Sequence, residues 1–191
     1  MQLSEEMRKE IWRKVLHMGV ILALPIAALS KGVLVLTIIG LAVLYLVHES
    51  NAADGGTLPF LTPAIQRAKR LSEKKIAQSP FMMGIGVLIT VLIFPLKPAA
   101  AGLMQLAFAD MAAAMIGLLL GRHPLPHSPK KTWEGTGAFF LMAFFLMPLI
   151  GYSIPAGFLL ALIGATVESL PYKDWDNLFI PVGVAAIASF F

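Results

Sequence analysis

The chain has 191 residues, 58% of them hydrophobic and only 14% charged, and its mean hydropathy is +0.79. Soluble domains sit near half apolar and a quarter charged, so this composition excludes an ordinary water-soluble globule and indicates a polytopic membrane protein. The absence of cysteine excludes a disulfide framework, a thiolate metal site and a cysteine nucleophile, and the net charge of +4 is read as a membrane-orientation signal, not as nucleic-acid binding.

The charged stretch Met1 to Lys14 mixes Glu5, Glu6 and Glu10 with bases, and no small-residue cleavage site follows it. It is therefore not expected to be a cleavable signal. Apolar segments come next at Val15–Leu29, Val33–Val47, Phe81–Leu96, Ala99–Leu120, Gly135–Ile150, Ile154–Val167 and Leu178–Phe191. A spanning helix needs roughly 20 apolar residues, and several of these are shorter. The expectation is an all-α integral membrane protein of about seven transmembrane helices, with six as the fallback. Residues 1–191 form one domain, with no internal repeat and no low-complexity tract.

Basic residues set the orientation. With a cytoplasmic N-terminus, the inner segments carry Arg8, Lys9, Arg13, Lys14, Arg67, Lys69, Arg70, Lys74, Lys75, Arg122, Lys130, Lys131 and Lys173, which is thirteen of the fifteen Lys and Arg. Only Lys31 and Lys97 fall outside. The positive-inside rule then places the N-terminus in the cytoplasm. The outer loops are vestigial, so any chemistry is expected at the inner face. The long inner segment 49–78 is expected to hold an interfacial helix resting on anionic lipids, with Thr62 as N-cap, Pro63 at the first helical position and a basic run to Ile76.

Some polar residues lie where apolar ones belong. Asp110 sits in the middle of the fourth apolar segment, roughly 16 Å from either end at about 1.5 Å rise per residue. A carboxylate at that depth costs at least about 2.5–3.5 kcal/mol, so a metal, a cation or a watery cavity must offset it. A protonated Asp gluing helices together is the plainer alternative. Ala114, Gly117 and Gly121 follow at helical spacing, where small residues let a helix or ligand come close. Glu168 and Asp176 lie at helix boundaries on one side of the membrane, where converging carboxylates suit Mg²⁺. Asp174 is read as an ordinary solvated loop charge. The inner loop 121–135 brings Ser128, Lys130, Lys131 and Thr132 together as a candidate polyphosphate cradle, although it lacks the glycines of a Walker A loop. His123 and His127 are four apart, but Pro124 and Pro126 break the helical geometry a metal pair would need. Arg13, Lys14 and His17, by physics alone, read as an inner anchor with a snorkelling histidine.

Phe108-Ala109-Asp110, with Gly117, Gly121 and the run Ser128-Pro129-Lys130-Lys131-Thr132-Trp133-Glu134-Gly135, resembles the central motif of the CTP-dependent lipid kinases. That family includes dolichol kinase, phytol kinase and the yeast-type diacylglycerol kinase, and is related to the phosphatidate cytidylyltransferases. Glu168-Ser169-Leu170-Pro171 with Asp176-Asn177-Leu178 resembles its C-terminal element, and Arg13-Lys14-x-x-His17 its N-terminal one. Ala109 departs from the glycine often found before the aspartate. The His-Gly-Gly and Asp-Arg elements of the cytidylyltransferases are absent, which favours the kinase branch.

The resemblance implies a CTP-dependent kinase, with ATP the less favoured donor. It would phosphorylate the hydroxyl of a membrane lipid alcohol: a polyprenol or dolichol, a phytol-like prenol or diacylglycerol. Asp110, Asp176 and Glu168 are the expected Mg²⁺ ligands, and Asp110 and Lys131 the expected catalytic groups. Ser128, Lys130, Lys131, Thr132, Glu134 and Asn177 would hold the nucleotide, together with Arg13, Lys14 and His17. The expected setting is a prokaryotic cytoplasmic membrane with the site facing the cytoplasm. The rivals are a CDP-lipid-forming cytidylyltransferase, a proton- or ion-coupled transporter, for which an intramembrane acid is also typical, and a non-catalytic membrane scaffold.

Overall fold

The computed structural model describes residues 5–53, 56, 58, 59, 61–69, 77–172 and 174–191. The basic residues Arg70, Lys74, Lys75 and Lys173, and the second half of the expected interfacial helix, lie outside these. The N-terminal charged stretch and the first apolar segment form one rod: α1 (Glu5–Met18), a 3-10 turn (Gly19–Leu22) and α2 (Ala23–Leu29). Pro25 explains the tightened turn, because its ring crowds the carbonyl four residues back and it has no N–H to donate. The helix thus starts well before the first apolar segment, and it carries Arg13, Lys14 and His17 into the bundle instead of leaving them on a solvated leader.

The chain continues through α3 (Lys31–Ala53), α4 (Thr62–Ala68) and α5 (Ser79–Ile93). A central helical run follows, made of α6 (Leu96–Met104), a π-turn (Gln105–Ala109) and α7 (Asp110–Leu120). After a short hairpin come α8 (Trp133–Leu149), α9 (Ile154–Ser169) and α10 (Asp176–Ala188). All seven apolar segments are therefore helical. Met7–Leu29, Lys31–Ala52 and Leu96–Leu120 are long and apolar enough to cross a membrane, whereas Ser79–Ile93, Trp133–Leu149, Ile154–Ser169 and Asp176–Ala188 are shorter apolar helices.

Two local expectations need correction. The chain is not wholly α-helical: after α7, β1 (Pro124–Leu125) pairs antiparallel with β2 (Ser128–Thr132). Proline at 124, 126 and 129 holds the backbone extended and denies the segment a helix, so a small two-stranded element joins the otherwise helical fold. Thr62 is the first residue of α4, not its N-cap, and its hydroxyl instead accepts from the Leu58 amide (2.9 Å) and bonds His48 Nε2 (3.0 Å).

The central run is the core. Leu103, Leu106, Ala107 and Ala109 on it are fully buried, as are Phe139, Ala143, Leu160 and Val184 from the helices around it. Glycines set the close approaches, since a Cβ on Gly102 would stand 2.2 Å from the Pro181 carbonyl oxygen and one on Gly86 2.6 Å from that of Asn177. These contacts press α10 onto α5 and α6. In contrast, α3 leaves Leu36 71% and Leu41 60% exposed. A helix apolar on all sides suits hydrocarbon, not water.

Candidate active site

A cavity of about 840 Å³ opens at the end of the bundle where α1, α7, the hairpin and the α9–α10 corner meet. Its size is that of a small-molecule site. Of the twelve residues expected from sequence, nine line it: Arg13, Lys14, Asp110, Ser128, Lys130, Lys131, Thr132, Glu168 and Asp176. Four regions of the chain thus share one wall of charge inside an apolar protein.

The first charge centre is Asp110. It is 2% exposed, its carboxylate is paired with the Lys14 ammonium, and His17 Nδ1 lies 4.0 Å away. Lys14 and His17 are three apart on α1, so one helical face presents both to the same carboxylate. This corrects the anchor reading: Arg13, Lys14 and His17 are 9%, 5% and 4% exposed, where snorkelling would leave the charges in water. Pairing is what makes the burial tolerable, because an unpaired buried ion costs several kcal/mol. His17 stands behind the carboxylate and not on the cavity wall, and its Nδ1 has no hydrogen-bond partner among the described residues.

The second centre is Lys131. Its ammonium donates to the Glu168 backbone carbonyl and lies 3.0 Å from Glu168 Oε1 and 3.4 Å from Asp176 Oδ2. Thr136 donates to the other Glu168 oxygen at 3.1 Å. Burial pushes the Lys131 pKa down, but Glu168 and Asp176, with a further contribution from Asp110, outweigh it and leave the pKa raised. Lys131 is therefore cationic at neutral pH. Among the described residues no three His, Asp or Glu side chains converge in metal-binding geometry. Glu168 and Asp176 nonetheless reach one cation together, and two carboxylates plus phosphate oxygens and water are what Mg²⁺ commonly takes. The donor chemistry of that pair fits the ion.

A third network joins the two sides. Arg13 pairs with Glu10, stands 3.9 Å from Asp174 Oδ1 and donates to Ser79 Oγ at 3.3 Å. Asn177 Nδ2 donates to the same hydroxyl at 2.9 Å. Asp174 is 3% exposed, so the solvated-loop reading is overturned. Its left-handed φ of 62° is a conformation that aspartate tolerates better than most residues, and it turns the carboxylate inward beside Arg13.

Other expected residues are committed elsewhere. Thr132 caps α8 by accepting from Gly135 N at 3.1 Å, and it nests against Gly117 and Gly121. Glu134 bonds His123 Nδ1 at 2.6 Å and the amides of Arg122 and His123 at 3.2 and 3.3 Å, so it knits the hairpin root and stays off the cavity wall. Asn177 also lies behind the wall. His127 bonds the Ser169 carbonyl at 3.1 Å, away from His123.

Sequence reasoning missed Ser79, Thr136, Asp174 and Gln105. Gln105 alone left a readable trace, as a second polar residue within the apolar segment that holds Asp110. The others are ordinary polar residues near helix ends, and only the fold brings them to the site.

The chain is similar to three curated proteins. It is 29% identical over 149 residues to the phytol kinase of Synechocystis sp., covering 72% of this chain and 64% of that protein. It is 26% identical over 152 residues to phytol kinase 1, chloroplastic, of Arabidopsis thaliana, covering 69% of this chain and 49% of that protein. It is 28% identical over 134 residues to a probable phytol kinase, chloroplastic, of Triticum aestivum, covering 60% of this chain and 44% of that protein. The matched part thus spans between under half and just under two thirds of these relatives. No protein-family model matches, and no solved structure matches.

Proposed function

We propose that this chain is a membrane lipid-alcohol kinase. It transfers the γ-phosphoryl group of a nucleoside triphosphate, CTP in preference to ATP, to the hydroxyl of a prenol such as phytol. The observation that carries this reading is the cavity in which a buried, ion-paired carboxylate meets a row of cationic side chains at the end of an apolar bundle. Similarity to phytol kinases supports the substrate class, and polyprenol, dolichol and diacylglycerol remain candidates of the same chemistry.

Phosphoryl transfer asks a protein mostly for positioning and charge stabilisation. Lys130, Lys131 and Arg13 neutralise the phosphates, and Ser128 donates to them. The prenol hydroxyl arrives beside Asp110, which accepts its proton as the oxygen bonds the γ-phosphorus and the β–γ anhydride bond breaks, releasing the nucleoside diphosphate. Lys14, paired with that carboxylate, holds it in place. With a cation already on its carboxylate, Asp110 is assigned the proton and not the metal; Glu168 and Asp176 would hold Mg²⁺, which would neutralise phosphate charge. His17 and Asn177 steady the side chains in front of them, and Thr132 and Glu134 hold the cradle by capping α8 and bracing the hairpin. The distribution of Lys and Arg supports a cytoplasmic N-terminus and alternation up to the sixth span, with the cavity facing the cytoplasm; a seventh span and a prokaryotic cytoplasmic membrane complete this reading.

The test is transfer from γ-labelled and α-labelled CTP and ATP to phytol, geranylgeraniol, polyprenol and diacylglycerol, using detergent-purified protein and Mg²⁺. Label from the γ-position alone on an alcohol is the expected result. α-label on phosphatidate instead would make the protein a cytidylyltransferase, and no transfer of either label by folded protein would refute the kinase reading.

A further inference from the structure

The central helix contains a second polar residue with no place in the chemistry above. Gln105 is 0% exposed, in the middle of the apolar core. Its side-chain amide donates to the Leu160 carbonyl of α9 at 3.1 Å and approaches the Met147 sulfur at 3.8 Å. Its amide oxygen has no hydrogen-bond partner among the described residues. Such a half-satisfied buried amide is less stable than an apolar residue of the same shape, so packing alone does not account for glutamine here.

Its position does. Gln105 opens the π-turn Gln105–Ala109, and the Asp110 N–H donates to the Gln105 carbonyl, five residues back. A π-turn carries one residue more than an α-turn, so it rotates everything after it by about 100° relative to an unbroken α-helix. The rotation reconciles two fixed faces. Upstream, Gly102 is pressed on the Pro181 carbonyl of α10; downstream, Gly117 is packed against Thr132 and Gly135 at the start of α8. The cavity face of α7 begins at Asp110 and runs through Ala113, Ala114, Gly117 and Leu118, a single α-helical stripe. Leu106 and Ala107, which would continue that stripe upstream in an unbroken helix, are fully buried and off the cavity wall.

We propose that Gln105 is a positioning residue: its amide, clamped to the Leu160 carbonyl, holds the π-turn that aims Asp110 into the cavity and onto Lys14. The catalytic half of this proposal rests on the kinase reading; the geometric half does not. Gly164 belongs to the same device, because a Cβ there would stand 1.9 Å from the Gln105 amide oxygen and 2.9 Å from Phe139. It leaves the room in which the amide lies.

The test uses Gln105→Met, which keeps the volume and removes the clamp, and Gly164→Ala, which displaces it. The first readout is acetylation of Lys14 by an amine-reactive ester, followed by mass spectrometry with Lys31 as internal reference. An ammonium released from its carboxylate is acylated faster, so Lys14 labelling should rise several-fold in both variants. The second readout separates binding from turnover. CTP should still shift the melting temperature at wild-type concentrations, while kcat falls on the order of 10- to 100-fold, as expected for a reacting group misplaced by about an ångström. Unchanged Lys14 labelling in a folded variant overturns the proposal whatever the turnover. Wild-type kcat also overturns it, and so does joint loss of CTP binding and turnover, which would make Gln105 a general packing residue. A wild-type protein that transfers no phosphate, with variants that still unmask Lys14, refutes the kinase reading and supports the aiming role of Gln105.

Discussion

Removing the Lys131 ammonium tests the second charge centre. Three oxygens converge on that nitrogen, and the two carboxylates involved leave only 8% (Glu168) and 16% (Asp176) of their side chains exposed. Breaking a fully buried ion pair by deleting one partner costs about 3–5 kcal/mol. Lys131 keeps 22% of its side chain exposed, so water recovers part of the loss, and we expect Lys131→Met to cost about 2–3 kcal/mol. Glu168→Gln should cost a similar amount, because it leaves the ammonium under-compensated. The double variant should cost little more than either single, with a coupling of about 1–3 kcal/mol. The assay is a double-mutant cycle on reversible unfolding in mild detergent. Additivity within about 0.5 kcal/mol would show that the pair is not a thermodynamic unit and would refute the reasoning. In the same variant, loss of a charge-assisted contact to phosphate worth about 1.5–3 kcal/mol should raise the nucleotide KM about 10- to 100-fold, with lipid dependence unchanged.

The raised pKa of Lys131 fixes a pH window: its pairing contributes fully below its ordinary value of 10.5 and fades only as pH climbs through the higher folded value. The stability gap between wild type and Lys131→Met should therefore be flat from neutrality to about pH 10, and a gap that shrinks between pH 7 and 9 contradicts the assignment. Gly102→Ala should destabilise by at least about 2 kcal/mol, since the added carbon meets Pro181 backbone that has no room to yield. Gly183→Ala, inside α10 with nothing within 4 Å of the new carbon, is the matched control and should hold or raise the melting temperature. Chelation of divalent cations should abolish transfer without lowering the melting temperature by more than a few degrees, and undiminished turnover would remove Glu168 and Asp176 from metal binding.

Much of the fold was legible because membrane burial writes a coarse pattern. All seven apolar segments became helices, and the polar misfits Asp110 and Glu168 led directly to the cavity. Charge type alone could not tell an anchor from a buried partner: Lys14 reads like any lysine at a membrane boundary until α1 is seen to run unbroken beneath it. Asp174 was misread for the same reason, since a loop aspartate carries no mark of a left-handed backbone that turns it inward. Thr132 and Glu134 belong to the motif but are spent on the fold, by capping α8 and bracing the hairpin. The π-turn was invisible, because local propensity does not encode one extra residue in a helical turn. It lies between the close contacts of Gly102 and Gly117, which only the folded neighbours reveal.

The role of Asp110 is tested most directly by single-turnover transfer of γ-phosphate to phytol by Asp110→Asn beside wild type, with CTP binding followed in the same samples. Loss of the proton acceptor should slow transfer by about 100-fold or more, with the protein folded and CTP still bound. Transfer by Asp110→Asn at near the wild-type rate would contradict that role.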